Sequence, residues 1–572
     1  MKSDRPGVKA RKRASVSAAY LSLLASRGVD VMFGNAGTDF SPLIEAYAEL
    51  EQQGAPVPRP IIAAHENLAV TMAHGYGMVS RRIPAVMVHV SVGTANLVCG
   101  AMNAARENVG ILLTAGRTPL TEEGRLGARD GYIHWAQEMY DQAGMLREIV
   151  KWDYELRGAD QLEVVVDRAV SIAASEPRGP VYLSLPREVL AEEGPAAISR
   201  SPRVAAAGAG APDPVSVDRA VRLLAAAKRP LIVTCNAGRL PSGFAALAAF
   251  AERYAVPVIQ HKPRYLSLPS SHPMNLGSDP GRLVPEADVI VALECDVPWM
   301  PVKTAPRDGT PIINAGIDPL HTGIPIRGYA SDATLAGDTA LILAGLTAAL
   351  GDPPAAILAA RRKWAEGHRR ALHKEVAAVR KAAATSAPIH AAWASHCLSE
   401  AKDDDAILIN EYTLQLDHAA FERPDCYFGS SAASGLGWGA GAALGAKLAA
   451  PERQVIAVLG DGAYLFANPV AVHHAASLHE LPVLFVVMNN SMWGAVHHFT
   501  RAMYPDGAAA RANRQVFTHL DKLPAFEEVA RAAGGWGERV ERPEDLPAAI
   551  ARALEVMREE KRHALLNVIC RA

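Results

Sequence analysis

The chain has 572 residues, 49% of them hydrophobic and 21% charged, and its 58 basic residues nearly cancel its 60 acidic ones for a formal net charge of −2. At about 150 residues per domain, that length suggests three or four domains, each able to bury its own core. Balanced charge argues against a nucleic-acid or polyanion binder, no run approaches the ~20 apolar residues of a membrane span, and six scattered cysteines with no C-x-x-C argue against a disulfide framework or zinc cage. No apolar signal segment follows Met1, so the expectation is a cytoplasmic enzyme acting on a small molecule, with neither nucleic acid nor membrane as partner.

In chain order, residues 1–14 carry a basic run (2–13) that reads as a solvated tail rather than a nucleic-acid arm. Residues 15–191 alternate short Val/Ile/Leu runs, such as 85–89 and 111–115, with Ala-rich helical stretches. An Ala/Gly/Pro-rich segment without periodicity, 192–217, reads as a linker. The pattern resumes over 218–351 with runs at 231–235 and 289–293. A charged helical linker follows over 352–387, and the pattern returns over 388–572 with runs at 455–459 and 483–489. Continuous apolar runs separated by helices are what strands covered on both faces look like. The expected fold is therefore α/β, with three doubly wound parallel-sheet domains.

The segment 455–490 carries the most chemistry. A strand runs into Gly460-Asp461-Gly462, Asn468-Pro469 suits an N-cap and first helical residue, and a second strand ends at Asn489-Asn490. Asp461 and Asn490 thus stand at the carboxyl ends of two parallel strands, where open α/β sheets bind ligands. Glycines beside Asp461 would let backbone approach a phosphate, and a carboxylate, an amide oxygen and a carbonyl are hard ligands suited to Mg²⁺. An exposed turn would also explain G-D-G alone; the N-N at the end of the next strand is what that reading leaves out.

G-D-G followed after 26 residues by N-N resembles the cofactor signature of thiamine-diphosphate enzymes of the acetolactate synthase and pyruvate decarboxylase type. The run from Leu436 to Asp461 is similar, without gaps, to the corresponding part of benzoylformate decarboxylases, and other stretches also resemble benzaldehyde lyase. The resemblance implies a pyrimidine-binding first domain, a middle domain and a diphosphate-binding third domain. It implies Mg²⁺ held by Asp461, Asn490 and the carbonyl of Met492. Thr413, Gly460, Gly462 and Ala463 would border the diphosphate, Leu436 would wedge between the two cofactor rings, and the Ser434 carbonyl would accept the pyrimidine amino group.

Upstream, 65–76 (H-E-x-x-A-x-x-M-A-x-G-Y) is similar to the family's catalytic-glutamate motif. An acid in a first helical turn ordinarily serves the helix dipole. Here the resemblance makes Glu66 the acid that hydrogen-bonds the cofactor pyrimidine, reaching it in a partner subunit, so a homodimer or homotetramer follows. FGNAGTD (33–39) resembles the family's FGNPGS loop and puts Thr38 at a substrate-contacting position, and VMVHVSVGTAN (86–96) puts His89 on an active-site histidine. SMWGAVHHFT (491–500) resembles a substrate-facing helix, with Ala495, Val496 and Phe499 at apolar pocket positions; Trp299 and Met300 occupy the place of a second histidine.

Departures from the family pattern touch the substrate side. There is no histidine at 299–300, no His-His pair at 106–109, and Ala463 and Leu414 replace hydroxyls. FAD is not expected, because Leu293-Glu294-Cys295-Asp296 replaces the flavin-associated segment. The implied activity is non-oxidative decarboxylation of an aryl or branched 2-oxo acid with carboligase capacity. The rivals are an acyloin lyase or FAD-independent acetolactate-synthase-like carboligase acting on aldehydes, and a non-catalytic cofactor-binding regulator, against which Glu66 speaks. A nicotinamide oxidoreductase is suggested by Gly437-x-Gly439-x-x-Ala442, but a loop separates that run from its strand. Adjacent histidines at 473–474 and 497–498 point in different directions on a helix and make a poor zinc site.

Overall fold

The apolar runs become strands buried on both faces, and every strand pairing within the sheets is parallel. A computed structural model describes residues 14–195, 198–199, 202 and 204–571. The basic run at 2–13 lies outside the described residues. Three sheets of six, five and six strands occur among the described residues. With the strands of each sheet numbered along the chain, the first and third share the order 2-1-3-4-6-5, and the second runs 2-1-3-4-5 when read from its other edge. In each, the order reverses between strands 1 and 3, which is where such sheets open a crevice at their carboxyl edge.

The chain divides into two compact units, residues 1–73 with 81–207, and 74–80 with 208–572. The first holds the sheet built from Arg59–Ile62, Val31–Gly34, Ala85–Val88, Leu112–Arg117, Val181–Pro186 and Asp153–Glu155. Its core packs Tyr20, Leu21, Leu24, Met87, Leu112 and Leu183, all buried, under the helices Val16–Ser26 and Leu162–Ala174. Ser15 caps the first of these through its side chain, which accepts from the Ala18 amide.

The second unit holds the middle and C-terminal sheets. Tyr265 packs edge-on against Phe428, joining the two. The 192–217 linker ends earlier than expected, because Asp213 caps a helix that starts at Pro214. The charged pattern after it is the helix Ala355–Ala383, whose Arg361 is buried. The Arg361 guanidinium donates to the carbonyls of Leu224 and Ala227, at the end of the helix Pro214–Ala226, and to that of Tyr254, at the end of Pro241–Tyr254. One cation therefore satisfies the open carbonyls of two helix C-termini.

One further local expectation is corrected. Asn468 precedes Pro469 and the helix Pro469–Leu478, but it adopts a left-handed conformation (φ 58°) and its side chain caps nothing. The reason lies just upstream: Asp461–Phe466 forms its own short helix instead of a loop, so the chain must reverse sharply at Asn468, a residue type that tolerates positive φ. No helix among the described residues is long and apolar enough to cross a membrane.

Candidate active site

In the first unit, strand Val31–Gly34 runs into the short turn Thr38–Phe40, and strand Ala85–Val88 runs into His89 at the start of the helix Val90–Arg106. These are strands 1 and 3 of the sheet, so the two loops meet at the crevice. Thr38 is exposed at its rim, and Asp39 turns inward and is buried. The Asp39 Oδ1 lies 2.6 Å from His89 Nδ1, and Oδ2 accepts from the Val90 amide at 3.2 Å. Two glycines make room. A Cβ on Gly116 would fall 1.8 Å from Asp39 Oδ2, and one on Gly37 would fall 2.1 Å from His89 Nδ1.

The hydrogen bond to Asp39 raises the His89 pKa above the ordinary histidine value, burial works against it, and the charges of Asp39 and Glu66 add to the rise. With Nδ1 tied to Asp39, Nε2 is the atom left for chemistry. It lies 3.3 Å from Gln137 Nε2, while Gln137 Oε1 is buried with no hydrogen-bond partner among the described residues. Turned over, that amide would present Oε1 to an Nε2 proton, as an imidazolium requires. Glu66 opens the helix Glu66–Ser80, is nearly buried, and accepts a hydrogen bond at Oε2 from Asn96 at 2.9 Å. Thr38, Glu66 and His89 thus share one unit. Asp39, Asn96 and Gln137, which sequence reading passed over, hold them there. Asp39 and Asn96 stood inside the motifs already noticed; Gln137 carried no signal.

In the second unit, strands 1 and 3 of the C-terminal sheet are Ile407–Glu411 and Val455–Gly460, followed by Tyr412-Thr413 and Asp461. Asp461 is buried. Its Oδ1 accepts from the Gly462 amide at 2.8 Å and its Oδ2 from the Met492 amide at 3.3 Å. Asn490, just past strand Leu484–Asn489, accepts at Oδ1 from the same Met492 amide at 3.0 Å. Asp461, Asn490 and Met492 therefore converge. Burial pushes the Asp461 pKa above the usual carboxylate value, against backbone N–H groups that lower it. A carboxylate compensated only by amide dipoles gains from a cation beside it.

Thr413 stands next to this cluster: its methyl would meet a Cβ on Gly460 at 3.6 Å, and its buried Oγ1 has no hydrogen-bond partner among the described residues. An orphaned hydroxyl beside a buried carboxylate is what a phosphate-bearing ligand would satisfy. At Gly462 a Cβ would fall 2.2 Å from the Trp493 ring, so the glycine makes room for the indole. Ala463 is buried in the same short helix. Ser434 is left-handed (φ 56°) and receives a 2.6 Å hydrogen bond from Tyr412, and Leu436 is half-buried two residues on.

The dinucleotide fingerprint is overturned by Glu411. Its buried carboxylate accepts from the amides of Gly437 (2.8 Å), Trp438 (3.3 Å) and Gly439 (2.8 Å), the first N–H groups of the helix Trp438–Ala449. The place a pyrophosphate would take is filled by the chain itself. His473, in turn, is spent on a 2.6 Å hydrogen bond with the Tyr464 hydroxyl and is buried, whereas His474 is exposed.

A cavity of about 1030 Å³ in the second unit is lined by Tyr412, Ser434 and Met300, with Arg264, Asp296 and Lys303 beside them. Trp299 turns away from it, into the middle-domain core, edge-on to Tyr329 at 5.3 Å. Ala495, Val496 and Phe499 lie on the helix Gly494–Met503 and are exposed.

Three models of one family match the chain: the thiamine pyrophosphate enzyme N-terminal TPP binding domain over residues 14–145, the central domain over 217–346, and the C-terminal TPP binding domain over 411–568. The chain belongs to the thiamine pyrophosphate enzyme family. It is 28% identical to a probable 2-ketoarginine decarboxylase of Pseudomonas aeruginosa, covering 94% of this chain and 90% of the relative, and 27% identical to the benzoylformate decarboxylase of the same organism, covering 85% and 88%. The solved structure of a 4-hydroxybenzoylformate decarboxylase from Rhodococcus jostii superposes with a TM-score of 0.76 at 22% identity, covering 98% of this chain and 99% of that one. As a thiamine pyrophosphate enzyme, the chain has its orphaned Thr413 hydroxyl and buried Asp461 in the part that the TPP-binding C-terminal model covers.

Proposed function

We propose that this chain is a thiamine-diphosphate-dependent, non-oxidative decarboxylase of a 2-oxo acid with an aryl or branched side chain, with carboligase capacity. In this reading Asp461, Asn490 and the Met492 carbonyl hold Mg²⁺, Thr413 meets the diphosphate, and Leu436 and the Ser434 carbonyl receive the two rings. The chain works as a homodimer or homotetramer in the cytoplasm, each Glu66 serving the cofactor on its partner.

When bound, thiamine diphosphate would supply the nucleophilic carbon and the electron sink that loss of CO₂ from a 2-oxo acid needs. The protein does the rest. Glu66, steadied by Asn96, would present its second oxygen to the cofactor pyrimidine as the acid that hydrogen-bonds it. His89 carries the decarboxylase reading. Held by Asp39 with its pKa raised, it donates from Nε2 to the substrate carboxylate and later returns a proton at the same atom. Thr38 borders the same crevice. Ala495, Val496 and Phe499 would offer an apolar wall, and Met300, with Trp299 behind it, would face the substrate from the middle domain.

The test begins with chelated, thiamine-free protein, which should be inactive and recover only with Mg²⁺ plus thiamine diphosphate. Asp461→Ala should bind the cofactor far more weakly, and Glu66→Gln should bind it yet slow deuterium exchange at the thiazolium carbon by orders of magnitude. The recovered enzyme is then offered benzoylformate, branched 2-oxo acids, a guanidino 2-oxo acid (Asp296 adjoins Met300) and acyloins. Activity without the cofactor overturns the reading. Acyloin cleavage without CO₂ release would make the protein a lyase or carboligase instead.

A further inference from the structure

The middle sheet also reverses its strand order between its first and third strands, Pro230–Thr234 and Val289–Leu293, whose last paired residues are Thr234 and Leu293. Cys235 follows one strand directly and Cys295 follows the other after one residue. Although 60 residues apart in sequence, their sulfurs lie 2.9 Å apart and both side chains are buried. Closing the sulfurs to the about 2.05 Å of a disulfide needs only a small movement. Cys235 lines the 1030 Å³ cavity.

We propose that Cys235 and Cys295 are a modification site, a dithiol that a hydroperoxide converts reversibly into an intramolecular disulfide. The Cys235 thiolate attacks the peroxide oxygen, giving a sulfenic acid and releasing an alcohol or water. The Cys295 thiol then displaces hydroxide from that sulfur, the S–S bond forms, and a second water leaves with the Cys295 proton. Two electrons pass from the sulfurs to the peroxide, and a dithiol reductant restores both thiols by exchange. Cavity-facing Cys235 is the sulfur oxidised first. Burial pushes the Cys295 thiol well up, which leaves Cys235, at the cavity wall, as the first to react.

Asp296 lies close to both sulfurs, so the three could be read as ligands of a thiophilic cation. The surroundings oppose that. Asp296 Oδ1 already accepts from Arg264 at 3.1 Å and from the Val297 amide at 2.9 Å, and Arg327 donates to the carbonyls of Cys295 and Asp296. Two guanidinium groups crowd the cluster, and only three donors are in place where a closed zinc site needs four.

The experiment treats the full-length protein with graded hydrogen peroxide and reads its intact mass and a non-reducing peptide map. The expected result is a loss of about 2 Da, a cross-link joining the Cys235 and Cys295 peptides, and reversal by dithiothreitol. It should occur at doses no higher than those that first oxidise exposed Cys99. Cys235→Ser and Cys295→Ala should each abolish the mass loss; two different positions guard against one variant failing to fold. Oxygen accumulating on Cys235 without a cross-link, a map joining other cysteines, or one zinc per chain that disappears in Cys235→Ser would each overturn the proposal.

Discussion

The first and last sheets have the same strand order, and each carries a buried aspartate beside the gap between strands 1 and 3, Asp39 after strand 1 and Asp461 after strand 3, yet the two have different partners. Asp39 faces an imidazole 2.6 Å away, and the pair balances itself. Asp461 faces only backbone amides, so burial pushes its pKa up. The shared topology delivers a carboxylate to the crevice. What faces that carboxylate is decided by the next loop along the sheet, which supplies His89 in one case and Asn490 with Met492 in the other.

Removing the imidazole should break the comparison most severely. His89→Ala is expected to lower 2-oxo-acid decarboxylation by roughly 10²–10⁴-fold, the range for one general acid–base group, while carboligation of a pre-formed aldehyde falls much less. Steady-state CO₂ release and acyloin formation by the same preparation measure both. Equal losses would mean that His89 serves a step common to the two reactions, and would favour the lyase.

A smaller effect probes how the C-terminal sheet seats its loop. Burial pushes the Glu411 pKa up to about 7, against the three amides it accepts from. Glu411→Gln puts an NH₂ against amide donors and leaves at least one buried N–H unsatisfied. The expected cost is about 1–3 kcal/mol in denaturant unfolding, with weaker cofactor binding as the Ser434–Leu436 loop loosens. Unchanged stability would show that the amides find other acceptors.

The mildest change sharpens the N-terminal half. Because Asp39 raises the His89 pKa, the imidazolium persists above the usual value near 6.5. The pair's stabilising contribution is complete below pH 6.5 and is lost as pH rises through the folded value. In Asp39→Asn the basic limb of the decarboxylation profile should move to lower pH, with up to about a tenfold loss above neutrality and little below pH 6. A pH–rate series on both proteins reads this directly. An unmoved limb would assign the titration to another group.

Much of this was legible in the chain. Uninterrupted apolar runs announce strands covered on both faces, and a strand ending in Asp461 beside one ending in Asn490 announces a ligand edge. The contacts that set the chemistry were not legible, because they join residues brought together only by parallel pairing. Asp39 and His89 are 50 residues apart, and Glu411 caps a helix 26 residues away. Thr38 drew attention because it matched a motif position, while the aspartate beside it gave no sign that Gly37 and Gly116 had cleared space around it. The second glycine of G-D-G has a further reason that no local pattern shows: a Cβ there would collide with Trp493.

Arg361 bears on how much chain the middle domain needs in order to fold by itself. Its guanidinium closes the ends of two helices of that domain from a helix that composition assigns to a linker. A fragment cut after Gly351 would leave the carbonyls of Leu224, Ala227 and Tyr254 without that donor. The packing of the middle domain therefore extends into the helix ending at Ala383, and few residues separate that helix from Ile389, which bridges to Cys570 just past the strand Ala564–Ile569.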